Sequence, residues 1–91
     1  MHLRPQDRPY WRAILRQRPL EDWPEFALPL VVQLARALSD FGAESDKLDA
    51  EGFMIISRTG ERRRNPRDMV VTNLSSRAIR LMGMLEMAPK E

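Results

Sequence analysis

Glu51-Gly52-Phe53-Met54-Ile55-Ile56-Ser57-Arg58-Thr59-Gly60-Glu61-Arg62-Arg63-Arg64-Asn65-Pro66 lies between the two longest helical patterns of the chain and decides how they connect. Gly52 ends a helix by supplying a left-handed conformation that side chains resist. Phe53 to Ser57 is a short apolar run of β-favouring residues, Thr59-Gly60 is a turn signal, and Glu61 to Arg64 returns as a second strand. Asn65-Pro66 then opens a helix, asparagine as the cap and proline with its fixed φ at the first helical position. The stretch reads as a β-hairpin over residues 53–64 with one apolar and one basic strand. Two strands alone are marginal in water, so the apolar strand is expected to lie on the helices or to join a neighbour's sheet.

Upstream, residues 23–51 read as one long acidic helix. Ala27, Val31, Leu34, Leu38, Phe41, Ser45 and Leu48 recur at alternating spacings of four and three, the seam of a helix that keeps facing another. Asp22, with Glu25 three residues on, reads as its cap, and Pro29 puts a kink or the start of regular helix near itself. At 1.5 Å per residue this helix reaches about 40 Å, more than so small a globule covers. Part of the seam is then left for another subunit; an internal core stripe is the other reading. Residues 1–19 hold a basic helix from about Arg8 to Arg18. Tyr10, Trp11, Ile14 and Leu15 share one face of it, Arg8, Arg12 and Arg16 form a stripe beside them, and Pro19 closes it.

Downstream, residues 66–87 form the C-terminal helix. Its stripe is Val71, Leu74, Ala78, Leu81 and Leu85, widened by Val70, Ile79 and Met82. Met69, Met82, Met84 and Met87 either fill core gaps or give a partner an adaptable face. The expected fold is mainly α: three helices in one domain over residues 1–91, with a β-hairpin between the second, long helix and the third.

Ninety-one residues allow one domain, and a chain this short buries only about 60–65% of its unfolded surface. With 43% apolar and 31% charged residues it has the balance of a globular protein. Having no cysteine, it has no disulfide framework, thiolate metal site or cysteine nucleophile, in keeping with a reducing cytosol. His2 is the lone histidine, which argues against histidine catalysis and multi-histidine metal sites. No apolar run reaches the length of a membrane span, and Met1-His2-Leu3-Arg4-Pro5 does not open a secretory signal. The glycine-lysine-serine/threonine signature of a P-loop is absent. Asp40, Glu44, Asp46, Asp49 and Glu51 form an acidic row with Arg36 and Lys47 nearby, a solvated face rather than a metal-dependent nuclease centre. Ser75 and Ser76 have no histidine to activate them. Neither a catalytic constellation, a metal site nor a cofactor is expected, and the chain reads as a non-enzyme.

Charge is strongly segregated. Residues 1–20 carry five arginines against Asp7, residues 21–51 carry eight acids against Arg36 and Lys47, and residues 52–80 carry seven arginines against Glu61 and Asp68. Arginine's rigid fork of donors suits phosphate and carboxylate alike. Arg58, Arg62, Arg63, Arg64 and Arg67, with Arg12 and Arg16 as a second set, are the candidate contacts to duplex DNA backbone. No aromatic residues interleave with them as stacking of single-stranded bases requires. Three readings stay open: the arginines meet nucleic acid, they meet acidic surfaces of this chain, of a neighbouring copy or of a protein partner, or those of the hairpin are solvated and block edge-to-edge strand pairing. A small protein–protein adaptor or assembly factor is therefore the alternative function. Leu34, Leu38, Phe41, Leu48, Leu74, Leu81 and Leu85 are the expected packing residues between helices or subunits.

The order of parts resembles the small subunit of phage terminases of the siphophage and prophage packaging type. The resemblance rests on a long helix with Leu28-Pro29 and Leu34-Ala35-Arg36 ending at Glu51-Gly52, then the apolar strand, glycine turn, basic stretch and Asn65-Pro66. A last helix ends Leu85-Glu86-Met87-Ala88-Pro89. The likeness spans about Trp23 to Pro89. It implies a non-catalytic DNA-packaging protein of the bacterial host cytoplasm that assembles with copies of itself, as a ring, binds viral duplex DNA and stimulates a large subunit holding ATPase and nuclease. The family carries a leucine-glycine-leucine-threonine-proline-like segment and a further tail where Leu85-Glu86-Met87-Ala88-Pro89 stands here, which bears on any large-subunit contact made through such a tail.

Overall fold

Every helix boundary but the last in the computed structural model, which describes residues 3–87, follows from a proline, a glycine or an asparagine. His2 and the Ala88-Pro89 end of the last segment lie outside the described residues. Helix α1 (Arg8–Leu15) follows a 3-10 turn at Pro5–Asp7, α2 is Leu28–Glu51, strands β1 (Met54–Ile56) and β2 (Arg62–Arg64) form the hairpin, and α3 is Arg67–Met84. The mainly helical architecture with a hairpin between the second and third helices is the one expected.

Four boundaries differ from expectation, the smallest at α3, which begins at Arg67 and leaves Pro66 as the flanking residue rather than the first helical one. α1 stops at Leu15, not Arg18, because Pro19 stands four residues beyond Leu15 and has no N–H to offer its carbonyl. The Trp23 indole N–H donates to that carbonyl instead, at 3.4 Å. Arg16 thus falls in the closing turn, off the helical stripe. α2 begins at Leu28 rather than Trp23: Pro24 forces Trp23 into extended backbone (φ −87°, ψ 115°), and a 3-10 turn at Glu25–Ala27 leads in. Asp22 is accordingly not a helix cap but the end of a separate 3-10 turn, Leu20–Asp22. Pro29 sits in the first turn of α2, where its missing N–H costs nothing. α3 ends at Met84, ahead of Met87, in a double closure. Glu86 N–H donates to Gly83 O at 3.1 Å and Met87 N–H to Met82 O at 2.9 Å, with Glu86 at φ +55°.

α1 and α3 pack on two sides of α2, both running back along it. The core gathers Ile14, Trp23, Ala27, Val31, Leu34, Ala35, Ala37, Ala78, Leu81 and Leu85. Leu34, Val31 and Ala35 are wholly buried. Ala35, Ala37 and Ser39 are buried although they lie off the seam, since α2 is flanked twice and small residues allow close approach. Ser39 Oγ donates to Gln6 O at 3.2 Å and ties the first turn to α2.

Among the packing residues named from sequence, Leu34, Leu48, Leu81 and Leu85 are buried inside the chain, and Leu38, Phe41 and Leu74 are half-buried. The seam's first half is thus covered from within, so it is not the reservoir of surplus apolar surface. That surplus lies at Leu20, Phe26, Phe53, Met54, Ile56, Met69, Ile79 and Met84, all exposed. The α3 stripe is narrower than expected, because Val70 and Ile79 face outward. Glu25–Glu51 is the one helical stretch among the described residues long and apolar enough to cross a membrane. Val31, Leu34 and Ala35 within it are wholly buried, whereas Phe26 and Leu28 are exposed.

Candidate nucleic-acid interface

The hairpin continues past the C-terminal end of α2, and Asn65 ties its base to that end. Asn65 is buried, and its Nδ2 donates to Gly52 O and to Glu51 Oε1, both at 3.0 Å. Its Oδ1 accepts the Arg67 N–H at 3.0 Å, and its own N–H donates to Phe53 O at 2.6 Å. One residue therefore closes the ladder, caps α3 and binds both to the end of α2.

Strand pairing is antiparallel, with Met54 opposite Arg64, Ile55 opposite Arg63 and Ile56 opposite Arg62. Met54, Ile56, Arg62 and Arg64 consequently share one face, while Ile55 and Arg63 share the other. The turn is closed by Gly60 N–H to Ser57 O at 2.9 Å and Ser57 N–H to Glu61 O at 2.8 Å, with Gly60 at φ +86°. Arg58 occupies the tip. The apolar strand does not lie on the helices as expected: Phe53, Met54 and Ile56 are exposed and only Ile55 is half-buried.

The seven candidate arginines divide by what they touch. Arg67 is turned inward. Its Nε donates to Glu51 Oε1 at 2.7 Å and its Nη2 to Glu51 Oε2 at 3.2 Å, while Nη1 donates to Glu44. These bonds, the Arg67 guanidinium first and Asn65 second, hold the Glu51 carboxyl below the usual carboxylate range. They also occupy two acids of the row on α2, so those carboxylates serve as arginine partners. Arg64 bonds Asp68 through Nε at 3.0 Å and Nη2 at 2.6 Å, yet its side chain stays 80% exposed. Arg58, Arg62 and Arg63 are exposed and have no carboxylate within salt-bridge distance among the described residues. Arg12 and Arg16 are exposed on α1 and its closing turn, joined by Arg16 Nε to Arg12 O at 3.3 Å. They are not brought to the hairpin, since α1 packs along the opposite half of α2.

Two further residues escaped the sequence reading. Arg18 stacks on Trp23, its guanidinium carbon 4.2 Å from the ring centre, and donates to Leu85 O at 2.6 Å, a cation at the carbonyl end of α3. Arg4 grips the buried Asp7 and reaches Asp40 Oδ1 at 2.7 Å. Nothing local marked the bond from Arg18 to Leu85, because the two are 67 residues apart. The Arg4-Asp7 spacing was the one available clue to the other pair.

Neither a curated protein nor a solved structure matches the chain. A protein-family match does exist, and it runs over residues 1–91, covering the helices, the latch at Asn65 and the arginine hairpin alike. By that match the chain belongs to the Hendrixvirinae small terminase family.

Proposed function

We propose that the chain is a non-catalytic DNA-packaging subunit that works in several copies in the host cytoplasm, binds viral duplex DNA through its hairpin and assists a large terminase subunit carrying the ATPase and nuclease. The observation that carries this reading is the set Arg58, Arg62 and Arg63, three exposed guanidinium groups on a projecting hairpin without a carboxylate partner among the described residues. Unpaired arginines cost little in water and gain charge-assisted bonds when phosphates replace their hydration. Arg64 joins them at the edge, since its pair with Asp68 is open to solvent and worth little. Arg67 acts on the interface by position, holding α3 and the hairpin base to α2. Arg12 and Arg16 form a separate basic patch that would meet DNA only where the duplex passes α1 as well.

The test is duplex binding by the Arg58→Gln, Arg62→Gln, Arg63→Gln triple variant across a salt series. Loss of three phosphate contacts lowers the slope of log affinity against log salt by about 2–3 and weakens binding to every sequence alike. Unchanged affinity and slope would remove the assignment. If duplex DNA leaves the wild-type melting temperature unmoved while an acidic protein partner raises it, the adaptor reading takes its place.

A further inference from the structure

One face of the hairpin carries an exposed apolar pair and two arginines together. Met54 is 48% exposed and Ile56 75%, and the antiparallel register sets Arg64 and Arg62 directly opposite them. Cross-strand partners on one face stand about 4.5–5.5 Å apart at Cβ, so two apolar side chains lie in a line beside two guanidinium groups. Neither a helix nor the arginine stems cover that line, since Ile56 keeps most of its surface open. Two acids lie close in sequence. Glu61, which accepts the Ser57 N–H, alternates onto the face of Ile55 and Arg63. Asp68 is already bonded to Arg64, and only 16% of its side chain is exposed. Strands of three residues offer little area to a protein partner, whose stable contact takes about 800 Å² from each side. A narrow ribbon with apolar tips and positive charge suits the groove of a polyanion instead.

We propose that this face engages a base step of duplex DNA from the minor groove: Ile56, with Met54 behind it, wedges between two stacked pairs and bends the duplex, while Arg62 and Arg64 hold the flanking phosphates. Isoleucine and methionine suit the task, because they bring no strongly hydrogen-bonding group that would go unpartnered inside the stack. The amide side chains that read adenine in the major groove are absent from this face. In the minor groove there is no thymine methyl to rest on, so the apolar tips leave water there only by entering the step. Where that groove is narrow its negative potential draws arginine to the same place. The strain of bending is borne at the hairpin base, which Asn65 ties to Glu51 and Gly52 at the end of α2. This inference rests on the DNA-binding reading above and adds how the hairpin shapes the duplex it meets.

The full-length Met54→Thr, Ile56→Thr double variant tests it. Both positions are exposed and threonine favours strands, so the hairpin is kept; circular dichroism checks the fold. Bending is read as energy transfer between dyes at the two ends of a short duplex, and unstacking as the brightening of a fluorescent base analogue in its centre, each at saturating protein and low salt. The wild type bends the duplex and brightens the analogue. It also binds a duplex with one mismatched pair about threefold to tenfold tighter than a matched one, because that step is already loosened. The double variant loses the bend, the brightening and the preference, whereas Ile56→Leu keeps all three. A wild type that binds duplex DNA with no bend, brightening or mismatch preference overturns the wedge and leaves the arginine contacts standing. A double variant that bends and discriminates as the wild type does overturns it as well. A fall in the molar mass of the double variant assigns the apolar pair to a contact between copies, against the wedge. A wild type that fails to bind duplex DNA overturns the wedge and the DNA-binding reading together.

Discussion

Asp7 is fully buried and survives as a charge because one residue meets both its oxygens. Arg4 donates from Nε to Oδ2 at 2.9 Å, from Nη2 to Oδ1 at 2.9 Å and from its backbone N–H at 3.1 Å. The Arg4 guanidinium holds the Asp7 carboxyl below its ordinary range, against the opposing effect of burial. The linkage has a definite sign. Stabilisation is complete above the unfolded carboxyl value of about 3.9 and is lost as pH falls through the lower folded value. Asp7→Asn is expected to cost about 1–3 kcal/mol at neutral pH by urea unfolding, and its gap to wild type should narrow below about pH 4. Glu86 offers the opposite case. It holds φ +55° at the end of α3, a conformation that costs a residue with a Cβ. Its carbonyl and N–H roles survive in glycine. Glu86→Gly should therefore stabilise the chain by about 0.5–1 kcal/mol, read as a melting temperature about 2–8 °C higher.

The hairpin has only three paired residues on each strand and little cover, so its order comes from its base. Asn65 joins Phe53, Gly52, Glu51 and Arg67 in one hydrogen-bonded node. Asn65→Ala leaves the Gly52 carbonyl and the Arg67 N–H without their partner, a loss of about 1–3 kcal/mol. Hydrogen exchange should show where it falls: amides of residues 53–65 exchange faster while those in the middle of α2 keep their protection. Equal acceleration throughout would mean that the node supports the core and not the hairpin. α2 itself is stabilised differently, by wholly buried Val31, Leu34 and Ala35 between two flanking helices.

As a body the protein is extended. Its radius of gyration is 16.4 Å, against about 12 Å for a compact domain of this length. The elongation puts apolar residues at both ends, outside the reach of the central core. In the multi-copy subunit proposed above, burial between copies couples folding to assembly, so the melting temperature should rise with protein concentration over the micromolar range. A melting temperature independent of concentration would show that each copy folds alone and gains nothing from its neighbours.

Element types were legible before the fold was known, because each was signalled locally. Gly52 stopped α2, Thr59-Gly60 turned the hairpin, and Asn65-Pro66 opened α3. The start of α2 was misjudged although Trp23-Pro24 held the clue, because the seam's periodicity outweighed a steric restriction acting on a single residue. Seven arginines could be named as candidates from charge alone, since charge is a property of composition. Which of them are free could not be: Arg67 meets Glu44 and Glu51 across 23 and 16 residues of chain, and only packing α3 against α2 brings them together. For the same reason the surplus apolar surface sits at Phe26 and Met69 rather than along the seam. A repeat in the sequence tells which side chains share a face, but whether that face is covered depends on what the rest of the chain lays over it.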